Sequence, residues 1–487
     1  MKKLLNILSD NIFCKIFFVT LPLLNEIPVL MPYLNSVVKL GLVLAVLYLA
    51  ADMITNRQTL RMHFIVPIAV FLFALLMSCL LNIRSPLSSM NIISLFYTVA
   101  TMLVLFPVSR RKSEDQIRKE FSIINLILSV SITVFSLISL VMFFAKIQIV
   151  YTFNSYVYRL GFNSGRLVGL LRNSIYPTFV IGFFCCLIQL LLNREWGKRS
   201  KTADILLVFA ALSNFLAFVL QQSKGLRIGF YCSALMIGLV AAYQYPPSML
   251  TRHRRLHPAL RCGGCIAAGG ILSTVAYGLV EAVHSLSKTI VICLSITQSD
   301  DVGDDRQEII EDVTDYFERD EISDKYGAMT GRPNVWGEGL SYFLKKPFFG
   351  YGTHTLANDV HPYEGSKEQL THFHNVFIHT LVSCGIVGFI PFIIIVALSA
   401  VRILKALFAP VIRKGFLVFM VSAAMIVFLF VINMADTTIL YMMKHSGYVF
   451  FIYLGYILHY CGGESSRLDK PAEMLADWLD ARRNHAE

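Results

Sequence analysis

Charged residues are scarce in this chain, and their scarcity decides its class. Asp, Glu, Lys and Arg make up 15% of the 487 residues, whereas a soluble domain usually carries about 25%. Hydrophobic residues make up 55%, and several apolar runs reach the roughly 18–20 residues that cross a bilayer. The sequence therefore predicts an all-α polytopic integral membrane protein.

A disulfide framework and a cleavable leader are also missing. The 10 cysteines are scattered singly, mostly within apolar runs, which indicates packing residues. Cys262 and Cys265 form a C-x-x-C pair downstream of His253 and His257, but the spacing fits no standard zinc pattern. The N-terminal apolar run is interrupted by charge and lacks a small-x-small cleavage site, so we expect a retained first span.

The apolar runs predict about twelve transmembrane helices. They fall near residues 14–32, 36–54, 63–81, 91–108, 121–145, 174–193, 203–221, 226–243, 263–283, 375–401, 415–433 and 446–461. Helices one to nine then occupy residues 1–283, and helices ten to twelve occupy 374–461. We expect 284–373 to form one large loop subdomain and 462–487 a tail.

Lys and Arg are concentrated in alternate short loops, and this bias predicts the orientation. The basic loops lie around residues 57–61, 110–119, 194–201, 252–261 and 402–414. The positive-inside rule assigns them to the cytoplasm, so both termini are predicted to be cytoplasmic and the large loop extracytoplasmic, in the cytoplasmic (inner) membrane. The net charge of +11 then reflects orientation, not nucleic-acid binding.

Two segments of the predicted large loop need separate interpretations. The apolar piece 289–296 cannot be a further full span without inverting the rest of the chain, so we expect an interfacial segment, a re-entrant segment or an extension of helix nine. The acidic stretch 300–324 lacks the EF-hand spacing for calcium. Its apolar residues recur at helical spacing, which favours a solvated amphipathic helix.

A minority of basic residues lies against the orientation bias. Arg166 and Arg172 precede the sixth span, Lys224 and Arg227 flank the turn before the eighth, and Arg332 lies in the large loop. Some of these side chains can be ordinary snorkelling residues. An arginine cluster at a membrane cavity also suits a phosphate or diphosphate, because the guanidinium fork matches phosphate oxygens.

A histidine pair lies where the large loop enters the tenth span. His372 and His374 precede Asn375 and the apolar run, and a histidine can accept a proton at neutral pH. Taken singly, His374 is equally compatible with a helix cap, Arg332 with a loop ion pair and Trp336 with an interfacial aromatic. The combination favours a site on the extracytoplasmic face.

Residues 203–400 resemble the conserved domain of the O-antigen ligase and polymerase superfamily. The resemblance rests on four motifs: Arg332-x-x-x-Trp336, Pro347-Phe348-Phe349-Gly350-Tyr351-Gly352, His374-Asn375 and Gly385-Ile386-Val387-Gly388. These proteins are polytopic bacterial glycosyltransferases of the GT-C type, which use undecaprenyl-diphosphate-linked glycan on the extracytoplasmic face. The layout with one large loop between spans nine and ten looks like the ligase branch.

The resemblance implies roles for individual residues. His374 matches the histidine that activates the acceptor hydroxyl, and Arg332 and Arg166 match arginines around the lipid diphosphate. The family's Ser-Arg-Gly is Ser223-Lys224-Gly225 here, so either Lys224 or Arg227 takes the place of that arginine. The remaining expected contributors are Arg172 as a further diphosphate contact and Asn375, Trp336 and His372 as supporting residues.

The function implied by the resemblance is en bloc transfer of a glycan from undecaprenyl diphosphate to an acceptor hydroxyl, with inversion and without metal or cofactor. The expected partners are that donor, a glycan, lipid A-core-like or cell-wall acceptor, and membrane lipids, but no nucleic acid. A repeat-unit polymerase of the same superfamily is the alternative. A transporter or flippase is less favoured, because the sequence shows no repeat symmetry and its polar residues sit at the outer edge.

Overall fold

Helices predominate in the structure. The computed structural model describes residues 10–109, 112–153, 156–163, 166–172, 176–196, 200–245, 258–298, 332–356, 372–410, 413–441, 444–462 and 469–486. Within these ranges, long apolar helices account for most of the chain. The prediction of a polytopic helical membrane protein is confirmed at this level.

The described helices are numbered here in chain order. They are α1 Ile12–Leu24, α2 Met31–Thr55, α3 Ile65–Leu81, α4 Ser88–Val99, α5 Glu114–Phe144, α6 Thr178–Glu195, α7 Lys201–Leu220, α8 Lys224–Gln244, α9 Pro258–Gln298, α10 Arg332–Lys345, α11 Val376–Leu407, α12 Phe416–Ile432, α13 His445–Cys461 and α14 Lys470–Ala486. Short 3₁₀ turns cover Pro28–Leu30 and Thr59–Arg61, and α4 continues into a π-helical segment, Ala100–Leu105.

Each of the predicted spans coincides with a described helix. Eight helices of the described chain are long and apolar enough to cross a membrane: Pro28–Thr55, Ser88–Leu105, Glu114–Phe144, Thr178–Glu195, Lys201–Leu220, Lys224–Gln244, Cys262–Cys293 and Val376–Leu407. Three further apolar helices, α1, α3 and α12, are shorter. The number twelve therefore stays a prediction, whereas the multi-pass architecture is established.

Helix α9 decides how the apolar piece 289–296 is built. The helix runs without interruption from Pro258 to Gln298, so this piece extends helix nine. The predicted domain boundary at residue 283 consequently lies within a helix. The acidic stretch 300–324, and with it the predicted amphipathic helix, lies outside the described residues, as do His253 and His257.

A small β-sheet between α5 and α6 is a feature that the all-α prediction missed. Strands β1 Gln148–Phe153, β2 Tyr156–Asn163 and β3 Arg166–Gly169 pair antiparallel in the order β1-β2-β3. The signal was the run Ile149-Val150-Tyr151-Thr152-Phe153, whose β-branched and aromatic residues favour strands. The described part of the chain is therefore a helical bundle, as predicted, with a small three-stranded sheet in addition.

Helix α13 lies at the centre of the bundle. Every residue from His445 to Leu458 is buried, which is the behaviour expected of a helix that is apolar on all faces. Because α13 begins at His445, the residues just before it approach the same end of the bundle as the entrance of α11. This arrangement brings residues 433–441 to the predicted histidine pair.

Contacts at the opposite end join segments that were predicted to be cytoplasmic. Arg61 Nη2 lies 2.8 Å from Asp477 and 2.7 Å from Asp480 in α14, and Arg57 also pairs with Asp480. The Phe64 amide donates to Asp469 at 3.0 Å. The C-terminal helix and the basic loop between α2 and α3 therefore lie on the same side of the bundle.

Candidate functional site

The two glycine motifs of the sequence contact each other at a break in α11. Gly385 has φ +62° and ψ −169°, which interrupts the helix. Beyond the break, the Ile386 amide donates to the Pro347 carbonyl at 2.8 Å, and Val387 donates to Phe348 at 3.3 Å. A Cβ on Gly385 would overlap the Phe348 backbone, so only glycine fits this crossing.

The second half of the loop motif closes the same junction from the other side. The Tyr351 amide donates to the Val382 carbonyl at 3.0 Å, and the Gly352 amide donates to Ser383 at 2.9 Å. The segment 347–352 therefore satisfies carbonyl groups that the break in α11 would otherwise leave unpaired. The segment 347–352 and the first part of α11 consequently form one hydrogen-bonded unit.

Asparagines from α3 and α4 fix this unit to the bundle. Asn82 donates to the Gly350 carbonyl at 3.2 Å and accepts from Lys346 Nζ at 2.9 Å. Asn91 donates to Thr355 Oγ1 at 2.9 Å and accepts from the His354 amide at 2.7 Å. Because both asparagines are buried, these bonds position the loop segment strongly.

Helix α10 packs on the entrance of α11 and carries Arg332 toward it. Val335, Phe373 and Val382 form a buried cluster. Gly339 lets α10 approach closely, because a Cβ there would meet Ile378 and Phe373 at 2.8 and 2.9 Å. Arg332 begins this helix, so the packing of α10 determines where its guanidinium lies.

Asn375 caps α11 and ties it to the loop that follows α12. Its Oδ1 accepts from the Phe377 and Ile378 amides at 2.9 and 3.2 Å, which is standard N-cap geometry. Its Nδ2 donates to the Met434 carbonyl at 2.9 Å. His374, one residue earlier, has φ +48°, an uncommon conformation for a residue other than glycine. The cap therefore fixes the backbone next to His374.

The loop after α12 brings a carboxylate to the histidine pair. Asn433 accepts from the amides of Thr438 at 2.7 Å and Ile439 at 3.0 Å, and Asp436 Oδ1 accepts from the Thr437 amide at 2.7 Å. The Val376 amide donates to the Asn433 carbonyl at 3.0 Å. The same asparagine thus shapes the loop and binds it to the start of α11.

Asp436 is shared by the two histidines. His372 Nε2 donates to Asp436 Oδ1 at 2.9 Å, and His374 Nδ1 lies 3.8 Å from the same oxygen. The two imidazole centroids are 4.3 Å apart. Asp436 therefore binds His372 directly and faces His374 across a gap that is too long for a hydrogen bond but short enough for an ion pair.

Charges around Asp436 determine its protonation state. Burial alone would raise the pKa of Asp436, but the Lys444 charge and the hydrogen bond from His372 outweigh it and hold that pKa well below its usual range. Burial lowers the pKa of His372, an effect that Asp436 partly offsets. Burial also lowers the pKa of Arg332, and the negative charge of Asp436 partly offsets this effect. At neutral pH the cluster therefore holds an ionised carboxylate beside a neutral His372.

Tyr176 links the early loops to the Asp436 region. The Arg172 guanidinium lies 5.7 Å from the Tyr176 ring centroid, and Lys444 Nζ lies 5.4 Å from the same centroid. The Tyr176 carbonyl accepts from Gln221 at 3.2 Å, which belongs to the turn before α8. The structure thus brings Arg172 and that turn close to Lys444, and Lys444 in turn interacts electrostatically with Asp436.

The remaining predicted phosphate ligands differ in their surroundings. Arg227 Nη1 forms an ion pair with Glu281 Oε1 of α9 at 2.8 Å, so its charge is already balanced. Lys224 is exposed at the first position of α8. Arg166 is half-buried at the start of β3, and β3 is fixed to α5 because the Leu170 amide donates to Ser139 at 3.2 Å. Lys224 and Arg227 are the two candidates for the position of the arginine in the family's Ser-Arg-Gly. The ion pair with Glu281 disfavours Arg227.

Sequence reasoning missed Asp436 and Lys444. Both lie in the short loop between the last two predicted spans, and Lys444 is a basic residue on the side that carries few of them. A charged residue of either sign at a span end on that side is unusual enough to mark a site. An acidic residue there, opposite a histidine pair, was the available signal.

The comparison with protein families agrees with this geometry. The O-antigen ligase family model matches residues 197–393, a range that includes α7 to α10 and the first part of α11 with its break at Gly385. This match supports the assignment of residues 197–393 to the O-antigen ligase superfamily. The match contains Arg332, His374 and both glycine motifs, whereas Arg166, Arg172 and Asp436 lie outside it. The comparison with curated proteins gives no match.

Proposed function

We propose that this O-antigen ligase superfamily member transfers a glycan from a polyprenyl diphosphate, undecaprenyl diphosphate, to an acceptor hydroxyl at the extracytoplasmic face. The observation that carries the proposal is the shared oxygen of Asp436, 2.9 Å from His372 and 3.8 Å from His374. A histidine held beside an ionised carboxylate is a suitable proton acceptor, because the carboxylate stabilises the imidazolium that forms.

The proposed step is a direct displacement. His374 takes the proton of the acceptor hydroxyl as that oxygen forms a bond to the anomeric carbon. The bond from this carbon to the diphosphate oxygen breaks, and the diphosphate leaves with the electron pair. Attack opposite the leaving group inverts the anomeric centre. Proton transfer of this kind typically contributes 10²–10⁴-fold to the rate.

Basic residues would stabilise the departing diphosphate. Arg332 is the first candidate, because it already interacts electrostatically with the Asp436 cluster. Arg172 is the second, because Tyr176 connects it to Lys444. Arg166 and Lys224 complete the proposed set, contributed by β3 and the start of α8. Positioned cations stabilise developing charge most strongly where water is excluded.

Product analysis in cells tests this function and separates it from polymerisation. Deletion of the gene should leave long glycan chains stranded on the lipid carrier, because the chains are no longer transferred to the acceptor. An accumulation of single repeat units would favour the polymerase instead. Accumulation of the lipid-linked glycan on the cytoplasmic face would contradict both reactions, since it indicates a failure of transport.

A further inference from the structure

Three potential metal-binding atoms converge at the histidine pair. His372 Nε2, His374 Nδ1 and one Asp436 carboxylate oxygen all lie within 4.8 Å of one another. They come from two loops, one before α11 and one after α12. Two imidazole nitrogens and one carboxylate oxygen form a ligand set that suits Zn²⁺ and related divalent transition metals.

The spacing of these atoms suits a tetrahedral ion. Bonds of about 2.0–2.1 Å to nitrogen and oxygen require ligand atoms about 3.3 Å apart in a tetrahedron. The distances from Asp436 Oδ1 are 2.9 Å to His372 Nε2 and 3.8 Å to His374 Nδ1, which bracket that spacing. Shifts of about half an ångström would therefore bring each nitrogen to this spacing from Asp436 Oδ1, and the two nitrogens lie within 4.8 Å of each other.

His374 Nδ1 is the atom of this cluster whose hydrogen-bonding capacity is unused. The atom is buried and has no hydrogen-bond partner in the part of the chain that the structure describes. Its residue is held at φ +48° directly before the α11 cap. A buried polar atom without a partner is costly, and strained backbone of this kind often occurs at functional sites. A bound cation would satisfy the nitrogen.

Metal binding changes the hydrogen bonding of the cluster. The proton that His372 Nε2 donates to Asp436 Oδ1 would move to Nδ1 of the same ring, so that Nε2 can bind the ion. The charges of Arg332 and Lys444 oppose the approach of a dication and therefore moderate its affinity.

We propose that His372, His374 and Asp436 form a tetrahedral site for a Zn²⁺-like ion, and that the bound ion inhibits glycan transfer. The inhibitory half rests on the proposed function, because an ion on Nδ1 would leave the His374 proton on Nε2 and remove its capacity as a base. The fourth coordination position would hold water. The His374 ring can then either bind the metal ion or act as the base for glycan transfer, but not both at once.

Direct metal binding tests the site without any glycan donor. The full chain, purified in detergent through a tag that lacks histidine and stripped with a chelator, is titrated with Zn²⁺, and bound metal is measured after desalting. Co²⁺ serves as a spectroscopic probe, since a tetrahedral site gives intense visible bands. We expect one bound ion per chain, lost in His372→Ala and in Asp436→Asn.

His459→Ala is the matched control, because His459 also pairs with a carboxylate, at 3.1 Å from Glu114, at the opposite end of the bundle. This control should retain the ion. Saturable binding that survives both site substitutions, an octahedral Co²⁺ spectrum or no saturable binding would overturn the site.

A transfer assay with and without Zn²⁺ tests inhibition separately. The inference predicts at least a tenfold loss of rate at saturating metal, reversed by the chelator. Bound metal without any loss would overturn the inhibitory half. If His374→Ala retained full transfer while His372→Ala lost the ion, the proposed function would fail and the metal site would stand.

Discussion

His374 Nδ1 lies 3.8 Å from Asp436 Oδ1, although His374 precedes α11 and Asp436 follows α12 in the chain. The cap formed by Asn375 and the loop shaped by Asn433 hold the two groups in place. Asp436 is therefore a positioning residue for the proposed base. The closer contact of Asp436 is with His372, at 2.9 Å, so both rings depend on the same carboxylate.

Removal of the Asp436 charge should slow transfer without preventing donor binding. In Asp436→Asn, the amide can still contact His372, but it cannot stabilise the imidazolium of His374. We expect kcat to fall by about 10²-fold while KM for the lipid-linked donor changes little, measured with purified protein in vesicles. Asp480→Asn, which removes a carboxylate of the α14 ion pairs, should leave kcat unchanged. A rise in KM with constant kcat would contradict the positioning role.

The ion pair between Arg227 and Glu281 predicts a structural role for Arg227. Arg227→Ala should lower the unfolding temperature, because it leaves Glu281 without its partner at 2.8 Å. The exchanged double variant Arg227→Glu with Glu281→Arg should recover most of that loss. Lys224→Ala should instead raise KM for the donor. If the exchanged variant were stable but inactive, Arg227 would be the diphosphate contact after all.

The break in α11 requires glycine. Gly385→Ala places a side chain at φ +62° and against the Phe348 backbone, and this glycine-type backbone conformation alone costs about 1–3 kcal/mol. We expect a clear drop in unfolding temperature and loss of transfer. Gly270→Ala in α9 is the control, since no atom lies within 4 Å of the added Cβ, and it should be neutral or slightly stabilising. Equal changes in unfolding temperature and transfer for the two variants would contradict the requirement for glycine at the break in α11.

Buried histidines of the loop predict a loss of stability in mild acid. Burial and the neighbouring His372 lower the pKa of His354 from 6.5 to about 4. Between these values the unfolded chain binds a proton that the folded chain does not, so stability falls as pH decreases from about 6.5 to about 4. His354→Gln should reduce this slope by at most about 1.4 kcal/mol per pH unit. Thermal unfolding at several pH values, with His459→Gln as control, measures it, and an unchanged slope would contradict the burial argument.

The sequence predicted the membrane helices well because apolar length is a local property. Each of the twelve apolar runs coincides with a helix, and the motif around His374-Asn375 lies at the start of α11 as expected. The extension of α9 to Gln298 was one of three alternatives, since an apolar piece of that length fits several depths in a membrane.

Long-range pairing accounts for what the sequence did not reveal. Gly385 and Phe348 each look ordinary in isolation, and only the folded chain shows that they meet at the break in α11. Asp436 was missed because its role depends on a turn organised by Asn433. The strands at 148–169 were hidden within a loop that was considered only for its arginines.

The most direct test of the account is the initial rate of glycan transfer by His374→Ala. The purified variant is reconstituted in vesicles with undecaprenyl-diphosphate-linked glycan and an acceptor, beside wild type and His459→Ala, after size-exclusion chromatography has shown that all three are folded. The account predicts a rate at least 10²-fold lower for His374→Ala and an unchanged rate for His459→Ala. A rate for His374→Ala equal to that of wild type would contradict the assignment of the base.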